Sequence, residues 1–264
     1  MKNNSKVKIS IITPSFNQVD YIGRTIDSVL LQKCSSLELI VIDGGSTDGT
    51  VKILRNYGKK IKWSSEKDKG QSDAINKGLA MCEGEVVGYL NSDDVLLPGS
   101  LKKISNAFSN KNVDWVTGKC KIIDEKDREI RIWISKYKNF LLKFYRSGLL
   151  YVVNPISQPA TFWRRRVYER VGDFNEEEHL CMDYEYWLRV GKIYKLKVVD
   201  DYLAGFRVHG GSKSTNDVVG HFWEEFLVAL RFTKNPFYLS LHLISFLVIL
   251  TGYYLVQPLI DRLR

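Results

Sequence analysis

The sequence predicts an α/β fold in which a mostly parallel central sheet carries helices on both faces. Three observations predict this class. Short apolar runs alternate with stretches that have apolar residues at helical spacing through the first half of the chain. The links between them are short, and polar loops follow several of the apolar runs. Since parallel strands end at one edge of a sheet, we expect these loops to lie together where open α/β sheets bind ligands.

Two predicted strands at the start of the chain end in polar loops. Residues 7–13 form a short apolar run that stops at residues 14–17, with the sequence Pro-Ser-Phe-Asn. Residues 37–42 form a second run that stops at residues 43–48, where two glycines permit a sharp turn and a close approach of the backbone to a ligand. A third, weaker strand is predicted at residues 61–64.

The fourth predicted strand leads into a pair of acids. Residues 85–90 are mostly apolar and β-prone, and they run directly into Asn91, Ser92, Asp93 and Asp94. Adjacent carboxylates at the end of a buried strand are costly unless something positive binds them, and hard divalent cations take oxygen ligands of this kind. The alternative is a polar turn that caps the next helix.

Helices and further strands fill the rest of the chain. Helical spacing predicts helices at residues 21–32, from Thr47 or Asp48 to Tyr57, from Gly70 through Met81, at residues 99–108 and at residues 183–190. In the less regular second half, a mixed sheet is predicted from strands at residues 113–118, 121–123, 129–134 and 196–203.

Composition limits the classes of protein. The chain has 264 residues, of which 44% are hydrophobic, and this suits one large domain or one domain with an appendage. Its net charge of +9 favours an anionic partner. The basic residues are scattered and no nucleic-acid motif is present, so we expect phosphates or a membrane surface rather than nucleic acid.

Several motifs are absent from the sequence. There is no GxGxxG after the first strand and no GxxxxGK[ST], which argues against a dinucleotide-binding domain and a P-loop NTPase. The four cysteines lie far apart, without metal-ligand spacing or a disulfide framework. The first apolar run is too short for a signal peptide, so we expect the body of the protein to stay in the reducing cytosol.

Six blocks in order resemble the family 2, GT-A fold, inverting glycosyltransferases. They are residues 12–17, 41–50, 70–78, 91–94, 182–189 and 207–214. Each block alone is a weak signal, and their common order is a strong one. The resemblance implies a GT-A domain at residues 1–215, with a Rossmann-like, mostly parallel sheet and a small mixed sheet.

The resemblance also implies a nucleotide-diphosphate sugar donor, usually UDP-linked, and a divalent cation, Mn²⁺ or Mg²⁺. A cation can stabilise the charge that grows on the leaving diphosphate. Asp94 occupies the ligand position of the family's DXD motif, and Asp93 would face the ribose or share the metal. Ser92 stands where a fuller motif carries a third acid. In some relatives the position of His209 ligates the metal, and a surface histidine is the alternative.

The donor pocket implied by the resemblance draws on the polar loops. Its predicted residues are Thr13, Pro14, Phe16, Asn17, Asp43, Gln71, Asp73, Asn76, Ser92, Asp93 and Arg207. Asp43 would hold the nucleobase by an edge hydrogen bond, or else form the turn before Gly-Gly. Asp73 would complete the pocket or cap its helix. Arg207, with Lys213 and nearby glycines, would close over the diphosphate as a lid.

Asp183 matches the family's catalytic base. Inverting transfer needs a carboxylate that removes the acceptor hydroxyl's proton while its oxygen attacks C1 from the face opposite the leaving group. The alternative is an acid favoured by the helix dipole. Met182 stands where the family pattern often has a first acid. Glu185 is the less favoured neighbour, and Trp187 is either a core residue or a platform under the sugar.

The C-terminal part predicts membrane attachment. Residues 216–235 are expected to form an amphipathic connector, and residues 236–264 a hydrophobic helix. Residues 237–256 contain no Asp, Glu, Lys or Arg, and a membrane-spanning helix needs ~20 mostly apolar residues. Spanning is preferred here, and a helix in the interface or in an oligomer is the alternative. The basic, aromatic residues 137–153 are expected to touch the same surface.

These observations predict an inverting glycosyltransferase with a cytoplasmic catalytic domain attached to the cell membrane. The acceptor would be a saccharide, as a lipid-linked or cell-surface polysaccharide intermediate, and an oligomer is possible. The alternative is a non-catalytic nucleotide-sugar-binding or membrane-surface interaction protein. Asp183 argues against that alternative, because a binding module has no need of a base.

Overall fold

One mixed sheet lies at the centre of the protein. The structure is a computed structural model, and it describes residues 7–32, 34, 36–212 and 217–252. Its strands within the described residues are, in chain order, β1 Ile9–Ser15, β2 Leu37–Asp43, β3 Lys62–Ser65, β4 Val86–Tyr89, β5 Val95–Leu96, β6 Trp115–Ile123, β7 Glu129–Ile130, β8 Thr161–Arg164 and β9 Leu196–Arg207. Their order in space is β3-β2-β1-β4-β8-β6-β9-β5, with β7 paired to β6.

The first four strands form the parallel half of the sheet. β1 pairs parallel with both β2 and β4, and β2 pairs parallel with β3. Every residue of β1 is buried, as expected for a strand covered on both faces. The later strands add antiparallel pairs, β4 with β8 and β8 with β6. The predicted α/β class is therefore confirmed.

Helices cover both faces of the sheet. Their bounds in the described residues are α1 Ile22–Leu30, α2 Thr50–Tyr57, α3 Gln71–Met81, α4 Ser100–Phe108, α5 Ile132–Lys143, α6 Arg165–Val171, α7 Met182–Gly191, α8 Val218–Phe232 and α9 Pro236–Thr251. Successive β2 residues alternate between two hydrophobic clusters: Ile40 and Ile42 lie in one, Leu39 and Val41 in the other. This alternation places one cluster on each face.

The strands predicted at residues 113–134 differ from the structure in two ways. The two short strands predicted at residues 113–123 are one strand, β6, with a register shift around Lys119. The strand predicted at residues 129–134 stops at Ile130, and the chain then turns into α5. Tertiary contacts favour the helix, since Asn139 and Ser135 on α5 accept hydrogen bonds from the backbone of β6.

The C-terminal helices α8 and α9 lie against each other and against the domain. The rings of Phe222 and Phe246 are 5.2 Å apart, and buried His242 contacts the carbonyl oxygen of Tyr151 at 3.1 Å. Within residues 7–252, leaving out the undescribed gaps, no helix is both long and apolar enough to cross a membrane. The predicted spanning helix is therefore not supported there, and its last part, residues 253–256, lies outside the described residues.

Candidate active site

A large cavity opens where β1, β2 and β4 end. Its volume is ≈ 1160 Å³, and its lining comes from the loops after these strands, from α5, from the start of α7 and from α8. The polar loops predicted to lie together do so. This position is the one at which open α/β sheets bind ligands.

The loops after β1 and β2 are joined side by side. Asn17 adopts a left-handed conformation, with φ of 52°, which asparagine tolerates better than most residues. Its Oδ1 accepts the N–H of Thr47 at 2.9 Å, and its own N–H donates to Ser46 Oγ at 2.7 Å. Pro14 and Phe16 line the cavity beside it, and the side chain of Phe16 is largely exposed. The predicted donor residues Pro14, Phe16 and Asn17 thus share one wall.

Asp43 lies beneath this wall rather than in the cavity. Its Oδ2 accepts the N–H of Ser46 at 2.9 Å and the hydroxyl of Ser65 at 2.7 Å, and the residue is fully buried. The carboxylate is thus taken up by its own loop and by Ser65 at the end of β3, and the edge bond to a nucleobase stays a prediction. The turn-forming alternative describes Asp43 as the structure has it.

Of the four predicted donor residues on α3 and at the end of β1, one lines the cavity and three do not. Gln71 lines the cavity and donates to Asn91 Oδ1 at 2.7 Å. Asp73 accepts the N–H of Lys69 at 2.9 Å, which lowers its pKa, so it caps the helix. Asn76 forms hydrogen bonds with the backbone of Phe174, and Thr13 is buried in β1. Asp73, Asn76 and Thr13 therefore do not line the cavity.

The two acids after β4 have opposite environments. Ser92 and Asp93 line the cavity, and Asp93 Oδ2 lies 3.0 Å from His209 Nε2. Asp94 is fully buried, and its Oδ1 accepts the backbone N–H of Arg207 at 2.8 Å. Burial raises the pKa of Asp94 well above its ordinary value. Asp93, and not the predicted ligand Asp94, is thus the acid that faces the cavity.

Arg207 borders the cavity, but its guanidinium is held inside the protein. Only 1% of it is exposed. Its guanidinium donates to the carbonyl oxygens of Asp93 and Asp124 at 2.6 Å each and pairs with Asp127. These bonds hold the loop that carries Asp93. The predicted partner in the lid, Lys213, lies outside the described residues.

Asp183 lines the same cavity from the first turn of α7. Its Oδ1 accepts the N–H of Tyr184 at 2.7 Å. Burial raises the pKa of Asp183, although positive charge on His221 and Lys138 opposes the rise. Glu185 instead pairs with Arg189 at 2.8 Å, and Trp187 is buried against Trp115. Trp187 is thus a core residue.

The sequence of the chain matches a known family. Residues 10–172 match the model described as Glycosyl transferase family 2, which is more than half of the chain. The chain belongs to glycosyl transferase family 2. An uncharacterized glycosyltransferase of Nostoc sp. is 32% identical over 219 residues, covering 78% of this chain and 66% of that protein. The family 2 chain thus spans a little under two thirds of this relative.

Solved structures share the fold of the family 2 chain. A fragment of Staphylococcus aureus TarS in complex with UDP-GlcNAc superposes with a TM-score of 0.65 at 20% identity, covering 84% of this chain and 66% of that one. Mannosyltransferase PcManGT of Pyrobaculum calidifontis, in complex with GDP-Man and Mn²⁺, gives 0.68 at 17% identity, covering 91% and 69%. The α/β sheet of this chain is therefore a GT-A-like fold.

The residues facing the cavity suit the divalent cation that the family resemblance implies. A carboxylate and an imidazole are a donor set that Mn²⁺ accepts. Neighbouring ligands about 2.1 Å from one octahedral ion lie about 3 Å apart. Asp93 Oδ2 and His209 Nε2 lie 3.0 Å apart in a direct hydrogen bond, and a cation held by both side chains would replace that bond. The Tyr21 ring, 4.5 Å from that of His209, supports the imidazole.

Sequence reasoning missed the part of the cavity lining that comes from α5, from α8 and from the loop with Asn154. Lys138, Asn154, His221 and Glu225 all line the cavity on the side of Asp183. The available signal was the pair His221 and Glu225, four residues apart on a helix that is otherwise mostly apolar. Such spacing puts both on one helix face.

Proposed function

We propose that the protein is a metal-dependent, inverting glycosyltransferase that moves a sugar from a nucleotide-diphosphate sugar to a hydroxyl of a saccharide acceptor. One observation carries the proposal. The carboxylate of Asp183 and the pair Asp93–His209 face the same cavity at the end of the parallel strands. A base and a cation site in one cavity are what transfer from a nucleotide sugar requires.

The donor half of the proposal rests on the loops after β1, β2 and β4. Pro14, Phe16 and Asn17 would contact the nucleoside, with Gln71 and Ser92 beside the diphosphate. Asp93 and His209 would hold the cation, which supplies positive charge to the leaving diphosphate when bound. A UDP-linked donor is proposed, in line with the UDP-GlcNAc bound to TarS. PcManGT, in complex with GDP-Man and Mn²⁺, carries a different nucleobase in its donor.

Asp183 would act as the general base. Its carboxylate takes the proton of the acceptor hydroxyl as that oxygen forms a bond to C1 of the donor sugar. The bond from C1 to the diphosphate oxygen breaks on the opposite face, and the electron pair leaves with the nucleoside diphosphate. Burial raises the pKa of Asp183, and a raised pKa makes its carboxylate a stronger base toward the acceptor hydroxyl.

The acceptor is proposed to be lipid-linked and the cytoplasmic catalytic domain to be attached to the membrane through α9. Phe237, Ile244, Leu247 and Val248 are each more than half exposed on this helix. Such an apolar face on a surface helix marks an interaction site. Ile249 of α9 and Phe222 of α8 line the cavity, so the helix proposed to contact lipid also borders the site.

The experiment is an assay of transfer and hydrolysis across UDP-glucose, UDP-galactose, UDP-N-acetylglucosamine and UDP-glucuronic acid with Mn²⁺. Asp183→Asn should lower turnover by about a hundredfold or more, because it removes the base. The Asp183→Asn variant should bind UDP as tightly as the wild type does. Asp200→Asn is the matched control, since Asp200 is exposed and outside the cavity lining.

Three results would contradict the proposal. An Asp183→Asn variant with wild-type turnover would exclude Asp183 as the base. Retention of the anomeric configuration in the product, read by NMR, would exclude inversion. UDP binding without turnover of any nucleotide sugar would favour the non-catalytic alternative.

A further inference from the structure

Helix α8 is bound tightly to the chain that carries Asp183. Glu224 on α8 accepts the backbone N–H groups of Leu180 and Cys181, both at 2.9 Å. The thiol of Cys181 donates to the carbonyl oxygen of His221 at 3.2 Å. These bonds hold the first turn of α7 against α8, so the position of α8 relative to Asp183 is fixed.

Two polar side chains of α8 face the cavity beside Asp183. His221 and Glu225 are one helical turn apart, with Nε2 and Oε1 separated by 3.7 Å. Glu225 is only 6% exposed, and burial raises the pKa of its carboxyl. A side-chain hydrogen bond links it to Asn154. The carboxyl of Glu225 is thus a buried polar group that borders the cavity and is held in place by His221 and Asn154.

The groups around this part of the cavity suit hydroxyl groups. Carboxylates accept hydrogen bonds, while the ammonium of Lys138 and the amide of Asn154 donate them. A hydroxyl both donates and accepts, and can satisfy both kinds of group. Trp133, Tyr137 and Phe222 line the same cavity and offer apolar surface against a ring.

We propose that α8 builds the acceptor subsite, in which Glu225 and His221 bind hydroxyl groups of a saccharide next to Asp183. This inference rests on the proposed function, because a general base lies beside the hydroxyl that it deprotonates. The donor wall comes from the loops after β1, β2 and β4, whereas α7, α8 and Lys138 of α5 form the side that carries the base. Glu225 is thus a residue that binds the acceptor and selects it.

A metal site is the rival reading of the same residues. Ligand atoms of Cys181, His221 and Glu225 lie within 4.8 Å of one another. Metals bind the thiolate form of cysteine. The thiol of Cys181 is fully buried and donates to the carbonyl oxygen of His221, a bond that belongs to the protonated form. The hydroxyl-binding role needs no thiolate and is therefore favoured.

The test measures binding of p-nitrophenyl glycosides of glucose, galactose and N-acetylglucosamine to the full chain saturated with UDP and Mn²⁺. We expect the wild type to bind at least one of them by saturation-transfer NMR. Glu225→Gln and His221→Gln should each weaken that binding about ten- to a hundredfold, the effect of losing a hydrogen bond to a charged group. The Kd for UDP should change by less than about twofold, since the donor wall is untouched.

Glu177→Gln is the matched control, because Glu177 is exposed and outside the cavity lining. It should bind glycosides as the wild type does. Wild-type glycoside affinity in both α8 variants, or no glycoside binding to a wild type that binds UDP, would overturn the acceptor subsite. A Co²⁺–thiolate absorption band that Cys181→Ser removes would overturn it in favour of a metal site. Failure of the wild type to bind UDP would instead count against the proposed function.

Discussion

Asp93 and Asp94 are neighbours in the chain, but their side chains lie in different environments. The first lies 3.0 Å from His209 in the cavity, and the second is buried against the backbone of Arg207. The bonds from Arg207 to the carbonyl oxygens of Asp93 and Asp124 set this difference, since they fix the direction in which the loop leaves β4. At this scale, the chemistry depends on which way a side chain points.

The two acids permit a matched comparison. Asp93→Asn should weaken Mn²⁺-dependent binding of UDP at least about tenfold, because changes near a bound metal commonly cost ten- to a hundredfold in affinity. Asp94→Asn should keep the metal dependence, since asparagine still accepts the N–H of Arg207. Calorimetry with UDP, with and without Mn²⁺, measures both. Loss of the metal dependence in Asp94→Asn alone would restore Asp94 as the ligand.

At the scale of elements, Glu38 holds the parallel strands together at the end opposite the cavity. It lies on β2 and is 8% exposed. It accepts a hydrogen bond from Ser10 on β1, from Lys62 on β3 at 2.6 Å, and from the N–H of Glu83 before β4 at 2.9 Å. A single carboxylate therefore links four segments, which keeps the strand ends in register.

Glu38→Gln should lower the free energy of unfolding by about 1–3 kcal/mol at neutral pH, the cost of disrupting hydrogen bonds to a buried charged group. Burial acts to raise the pKa of Glu38, but the bonds from Glu83, Lys62 and Ser10 outweigh it, so the pKa lies below its ordinary value of 4.5. The stabilisation is therefore complete above the unfolded pKa and is lost as the pH falls through the folded pKa.

Urea unfolding between pH 7 and pH 3 measures this effect. The difference between wild type and Glu38→Gln should shrink below pH 4.5, the ordinary value for this group. Glu169→Gln, which changes an exposed acid, should leave the unfolding curve nearly unchanged. A difference that stays constant across this range would show that the charge of Glu38 contributes nothing.

At the scale of the whole molecule, the cavity lined by Asp183 and the apolar helix α9 lie together. The loops after β1, β2 and β4 form one wall of this cavity, and α8 connects the segment beside Asp183 to α9. The chain also carries a net charge of +9, which attracts anionic membrane surfaces. A saccharide held at α8 with its lipid near α9 would therefore lie across both parts.

The exposed face of α9 can be tested without removing the helix. The triple variant Ile244→Gln, Leu247→Gln and Val248→Gln should reduce co-sedimentation with phosphatidylglycerol–phosphatidylethanolamine vesicles at least about tenfold, because it removes apolar area available for burial. Leu31→Gln, Met81→Gln and Ile193→Gln form the control, since these residues are exposed apolar side chains outside α9. A wild type that stays in the supernatant as a monomer without detergent would rule out membrane attachment.

The sequence by itself determined the α/β class, the positions of most helices and the loops that meet at the cavity. Local periodicity and turn chemistry decide these features, so nearby residues carry the signal. The tertiary structure decided which loop residues face the cavity: Asp43 and Asp73 are taken up by hydrogen bonds inside the protein, and the guanidinium of Arg207, which borders the cavity, is held by backbone carbonyl oxygens. It also brought His221 and Glu225 beside Asp183, through contacts between segments about forty positions apart that no local pattern encodes.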